Sequence, residues 1–200
     1  ERGWFPWLNA KLGGRFMVLN YAAIGGEGVT DWIARLQTDV LNYKPATCFI
    51  GGPINDCAAG TDPATILARL MTVWQMLNAA GIAIVQETVA PLFTGHANFA
   101  VATPIRLRLN RLIRAQCVAQ NVPCVDSDAA IQDMTPAALA SAITNALDTD
   151  NIHYSAYGAR LMAEAAQPVV SSLWSAPSIL AASPVENITA DALSNQLIDT

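Results

Sequence analysis

Hydrophobic positions along this chain follow two spacings. Four compact apolar runs of strand length, Phe16 to Asn20, Ala46 to Ile50, Ile82 to Gln86 and Val122 to Val125, are separated by stretches where apolar residues return every third or fourth position. The second spacing predicts helices. A short one runs from about Phe5 to Leu12 and is closed by Gly13-Gly14; another is capped by Thr30 or Asp31, with Ile33, Leu36 and Val40 on its inner face. Pro63 to Ala80 places Ile66, Leu67, Leu70, Val73 and Leu77 on one side and stops at Gly81. Pro104 suits the first turn of a helix reaching about Gln120, Thr135 opens a further helix with Pro136 near its start, and the last clear helix spans about Ser155 to Trp174.

The strands are too uniformly apolar to keep a wet face, and they alternate with helices. That combination predicts a parallel sheet covered on both sides, a three-layer α/β domain. The domain is expected over residues 1–175. Residues 176–200 shift to Ser, Ala and Pro and read as a linker, with a short C-terminal helix from Thr189 to Ile198.

Composition narrows the function classes. With 52% hydrophobic and only 14% charged residues the chain is not of the disordered class. Charges and prolines interrupt every apolar run before the length of about 18 residues that a membrane span needs, so none is expected. A net charge of -5 and no basic stripe argue against nucleic acid as a partner. The cysteines lack CxxC spacing and His96 and His153 are far apart, so no metal site is expected. Cys48, Cys57, Cys117 and Cys124 leave two readings open: buried free thiols, or a Cys117–Cys124 disulfide across a helix-to-strand turn. The second would point to an extracellular or periplasmic compartment.

Candidate chemistry gathers in loops. Asp150-Asn151-Ile152-His153 sets a carboxylate three residues before an imidazole, a spacing at which one ring nitrogen can be held while the other accepts a proton. The same residues also suit a helix-entry turn with a solvated imidazole. Gly25-Gly26 lies in a turn after the first apolar run, and Asn55-Asp56 follows the second, where open α/β sheets place their ligands. A glycine N–H and an asparagine amide are suitable donors to an oxyanion. The stretch from Glu87 to Thr103 loses periodicity, and loops of that length are usually functional; His96 and Phe99 are candidates there, His96 equally as a solvated loop residue. Arg106, Arg108 and Arg111 read as a wet helix face.

In order and spacing these pieces resemble the SGNH, or GDSL-type, hydrolase superfamily. Asn20 to Gly26 resembles its second block, Pro53-Ile54-Asn55-Asp56 its third, and Asp150-x-x-His153 its fifth, over roughly Trp4 to Ala166. The resemblance implies a flavodoxin-like sheet of order 2-1-3-4-5. It also implies a serine esterase with no cofactor, His153 as base, Asp150 as its orienting group, and Gly26 and Asn55 as oxyanion donors. A small ester or acylated glycan would be the substrate. Two departures stand out. Pro53 occupies the place of a family glycine, and the Gly-Asp-Ser block with the nucleophile and first strand is missing. Without that strand, Phe16–Asn20 and Ala46–Ile50 would lie about 9.6 Å apart with unpaired backbone between them. The expectation is therefore that a preceding segment or a companion chain supplies the strand and the serine. The competing expectation is a catalytically inactive relative serving as a binding or structural module in a larger assembly.

Overall fold

Asp62 shows how local sequence sets an element: its carboxylate accepts the N–H groups of Ala64 (2.9 Å) and Thr65 (3.2 Å), and Pro63 stands where no N–H partner is needed. Helix α4 (Pro63–Ala79) follows, burying Ile66, Leu70, Val73, Trp74 and Leu77, and Gly81 at φ +71° turns the chain out of it. The structure is a computed structural model describing residues 3–132 and 141–173. The other helices are α1 (Trp4–Lys11), α2 (Val29–Asp39), α3 (Ile54–Ala58), α5 (Phe99–Ala119), α6 (Ser127–Ile131) and α7 (Ala156–Ser171). By its contacts the chain divides into residues 1–169 and 170–200, and in the second unit residues 170–173 are described.

Strands β1 (Thr47–Ile50), β2 (Ala83–Glu87) and β3 (Cys124–Val125) form a parallel sheet in the order β1-β2-β3. Thr47 pairs with Ala83 through to Ile50 with Gln86, and Gln86 and Glu87 pair with Cys124 and Val125. Alternation along the strands defines the two faces. Cys48, Ile50, Ile84 and Cys124 pack into the core built by α2, α4 and α5, where Trp74 donates to Gln86 Oε1 at 2.9 Å. Phe49 points the other way, onto Trp4 and Phe5 of α1 at ring separations of 6.1 and 5.0 Å. Lys11 of α1 and Glu164 of α7 form an ion pair at 3.6 Å. Helices thus cover both faces, as the apolar strands required.

Several expectations change. Phe16–Asn20 is not a strand: its ends are held by Asn9, which bonds both the N–H and C=O of Phe16, and by Asn20 reaching the Asp39 carbonyl. Among the described residues no backbone hydrogen bond reaches Met17, Val18 or Leu19, and all three are exposed, Met17 by 81%. An apolar run becomes a strand only when a neighbour takes its backbone groups. Neither Thr30 nor Asp31 caps α2; Gly28 does, while Asp31 Oδ2 accepts the Gly28 N–H at 2.9 Å. The loop after β2 is shorter than expected, because Phe99 already begins α5. Pro104 accordingly lies inside that helix rather than in its first turn. Arg106 is not on a wet face. It is fully buried against Asp128, with Arg114 bonding Asp126 and Asp128 beside it. Helix α6 went unrecognised in the sequence. The helix expected at Thr135 and the linker and helix within 176–200 lie outside the described residues.

Candidate active site

The glycine turn and the loop after β1 are joined by two consecutive side chains. Asn55 Nδ2 donates to the Glu27 carbonyl at 2.9 Å, and Asp56 Oδ2 accepts the Val29 N–H at 2.8 Å. Asp56 is buried and also meets Arg69 at 3.1 Å. A side chain on Gly28 would come within 2.8 Å of this carboxylate, so the close approach needs glycine there. Gly26 has φ +84°, and among the described residues its N–H has no acceptor. Arg35 of α2 braces the turn from behind, bonding Glu27 Oε2 with Nε at 2.7 Å and reaching the Ala22 carbonyl and Asp39. One N–H of the Asn55 amide is used on Glu27. Among the described residues the other has no acceptor.

The second element is the loop of residues 147–154. Leu147 bridges Tyr154, Asp148 N–H donates to the His153 carbonyl at 2.7 Å, and Asn151 turns the chain at φ +64°, a conformation asparagine tolerates. Asp150 Oδ1 accepts the N–H groups of Ile152 (3.1 Å) and His153 (3.0 Å), while its Oδ2 lies 2.7 Å from His153 Nδ1. These bonds, the His153 backbone N–H first and its ring second, pull the Asp150 carboxyl down to about 2. An ionised carboxylate only accepts, so Nδ1 carries the proton and Nε2 of the neutral ring is left with its lone pair. The His153 side chain is 71% exposed.

Both loops belong to the carboxyl edge of the sheet. Asn55 leaves the end of β1, and Asn151 accepts the Phe93 N–H at 3.1 Å from the chain leaving β2. Ile54 and Ile152, their neighbours, pack on the same core. Among the described residues no hydrogen bond or ion pair directly joins His153 or Asp150 to Gly26 or Asn55.

The remaining candidates have local partners. His96 Nδ1 accepts the Asn98 N–H at 3.1 Å, and Phe99, at the start of α5, packs against the core. The cysteines are free, and burial pushes the Cys48 thiol up to about 11 and Cys57 up to about 12. Neither serine near the site faces the imidazole. Ser155 Oγ donates to the Asn145 carbonyl at 2.5 Å and receives the Gly158 N–H, which caps α7, and Ser127 is buried on Glu87 at 3.1 Å.

Sequence reading missed Glu87. It is buried at the end of the central strand, and burial pushes its carboxyl up to about 7 against the opposing pull of Ser127 and the Trp4 indole. Burial, then the charge of Glu87, push the Tyr154 phenol up, and Ser127 opposes that rise. A lone Glu ending an apolar run was the available signal.

The model of the GDSL-like Lipase/Acylhydrolase family matches residues 1–161. Among solved structures, a protein described as lipolytic and of the G-D-S-L family from Desulfitobacterium hafniense aligns with TM-score 0.69 and 18% identity, covering 84% of this chain and 89% of that one. A GDSL-like lipase from Bacteroides thetaiotaomicron gives 0.67 and 18%, with 84% and 80% covered. A variant of an acetyl-xylooligosaccharide esterase from Geobacillus stearmophilus gives 0.63 and 19%, again with 84% and 80% covered. At these identities the likeness is one of fold. No curated protein sequence matches the chain at a significant level.

Proposed function

This chain belongs to the GDSL-like lipase/acylhydrolase family, and on that premise we propose that it is the histidine-bearing part of a serine ester hydrolase. A serine hydroxyl attacks the acyl carbon, His153 Nε2 takes its proton and passes it to the departing alcohol, and Asp150 holds the ring. Water then releases the acyl group with the same base. The N–H of Gly26 and the second amide hydrogen of Asn55 receive the oxyanion, an interaction of about 2.7–4 kcal/mol per donor in such sites. The observation that carries the reading is the 2.7 Å contact between Asp150 and His153, which leaves the proton-accepting nitrogen facing solvent.

In this reading the serine comes from a preceding segment or a companion chain, on a strand that pairs with β1. Two observations support it: among the described residues β1 ends the sheet with one edge unpaired, and the apolar run from Met17 to Leu19 is exposed. Buried parallel sheets seldom leave such an edge. An acetylated carbohydrate is the favoured substrate. Its support is the likeness to proteins described as an acetyl xylan esterase and an acetyl-xylooligosaccharide esterase.

A second reading, an inactive binding or structural module, draws on the lack of a serine facing His153 among the described residues. Turnover of p-nitrophenyl acetate decides between them, measured with and without the serine-bearing segment and after His153→Ala. The hydrolase reading expects turnover only with that segment, falling about 10⁴-fold in the variant. A rate indifferent to His153→Ala sinks it in favour of the module.

A further inference from the structure

Helix α5 buries Leu109, Ile113 and Cys117, and beside them runs a polar stripe. Arg106, Asn110 and Arg114 recur every fourth residue and reach the chain where it leaves the sheet: Arg106 bonds Asp128, Arg114 bonds Asp126 and Asp128, and Asn110 bonds Val89. Asn110 is fully buried, and the proposed chemistry leaves it unused. A buried amide needs partners at both ends. Its Oδ1 accepts the Val89 N–H at 2.8 Å, and its Nδ2 donates to the Val89 carbonyl at 2.9 Å. These are the two bonds a neighbouring strand would supply, placed just after the last sheet bond, from Thr88 N–H to the Val125 carbonyl at 3.0 Å. One side chain thus holds the backbone of the segment leaving β2.

Both halves of the candidate site rest on that segment. At its start Gly52 lies so close that a methyl there would stand 2.5 Å from the Val89 Cα and 2.6 Å from the Thr88 carbonyl oxygen. Gly52 accepts the Ile54 N–H at 2.9 Å, and Asn55 follows. At its far end the Phe93 N–H donates to the Asn151 carbonyl at 3.1 Å, inside the histidine loop, while the Leu92 carbonyl accepts the Ala142 N–H at 3.0 Å. Thr88 is tied to the chain after β3, its Oγ1 donating to Asp126 Oδ1 and accepting the Asp128 N–H, both at 3.0 Å; Val89 is held by Asn110. We propose that Asn110 is a positioning residue: by clamping Val89 it fixes the oxyanion donor Asn55 and the base His153 at one distance from each other. Removing the clamp leaves two buried backbone groups without partners, so the segment shifts to satisfy them and both loops move with it.

The role rests on the hydrolase reading, yet its first test needs no turnover. Hydrogen exchange, followed by NMR in the whole chain, compares the unmodified protein with Asn110→Leu, Asn110→Ala and Gly52→Ala. The Leu70 and Val73 amides of α4 report the stability of the whole fold. In the Asn110 variants the Phe93 amide and the Asn55 side-chain amide should speed up by about tenfold beyond any change in α4, the factor worth one net hydrogen bond. Gly52→Ala pushes the loop after β1 off the segment and leaves the Asn110 bonds in place, so Asn55 speeds up and Phe93 does not. A uniform rise across α4 and both loops overturns the proposal, because Asn110 would then only stabilise the fold. So does a rise confined to Val89, or to one of the two loops, in the Asn110 variants. Should those variants fail to fold, Gly52→Ala still decides: faster exchange at Phe93, or none at Asn55, overturns the proposal. In the serine-bearing form, Asn110→Leu lowers kcat by about tenfold or more and leaves KM unchanged; an unchanged kcat overturns positioning. Absence of turnover in the unmodified serine-bearing protein would sink the hydrolase reading and leave the exchange result to decide this one.

Discussion

Replacing Glu87 by Gln should make the protein more stable at neutral pH and leave it little changed in acid. The folded carboxyl titrates at about 7, against 4.5 for an unperturbed glutamate, because burial penalises its charge more than Ser127 and Trp4 favour it. Between those values the folded state holds a proton that the unfolded chain has released. Stability therefore falls as pH rises from about 4.5 to about 7, and the loss is complete above the folded value. At about 1.4 kcal/mol per pH unit, the span from 4.5 to about 7 amounts to roughly 3 kcal/mol. Gln has the same shape and no charge, so its variant lacks this slope; any fixed difference in hydrogen bonding shifts its curve without tilting it. The assay is urea unfolding of both proteins at half-unit pH steps from 4.5 to 7.5, with coincident fluorescence and circular dichroism transitions as the two-state check. The difference between the proteins should widen steadily in favour of Glu87→Gln by a few kcal/mol across that window. Parallel stability curves would refute the reasoning, since Glu87 would then keep its charge in the folded state at no cost.

Other perturbations test the remaining joints. Asn55→Ala removes the amide that ties the loop after β1 to Glu27; unfolding free energy should drop by about 1 kcal/mol, and in the serine-bearing form kcat should fall by at least roughly a hundredfold. Gly158→Ala would put a methyl carbon 1.9 Å from the Ala146 carbonyl oxygen, where α7 meets the start of the histidine loop, so a loss of about 1–3 kcal/mol is expected in the same urea assay. Arg106→Ala strips the buried Asp128 of one of its two guanidinium partners and should cost about 3–5 kcal/mol by thermal or chemical unfolding, whereas Arg160→Ala, at an exposed helical pair with Glu164, should change stability by less than about 0.5 kcal/mol.

What the chain alone determined was whatever rests on neighbours in sequence. Three strands and the long helices were legible because burial imposes a period of two or 3.6 on the residues themselves, and Asp150 reaches His153 because three positions in one turn suffice. Asn55 was placed after β1 by the glycines and proline that end the strand. Its bond to Glu27, and the bond from Asp56 to Val29, depend on which loops the sheet brings together, and no local pattern encodes them. Phe16–Asn20 has the composition of a strand, but strand formation is a property of a pair, and among the described residues no backbone partner takes the hydrogen bonds of Met17, Val18 or Leu19. Arg106 looked solvated because charge is read one residue at a time; only folding set Asp128 opposite it. Glu87 and Ser127 come from distant stretches. Parallel register joins them, and a buried carboxyl acquires its energy from such long-range surroundings rather than from its place in the chain.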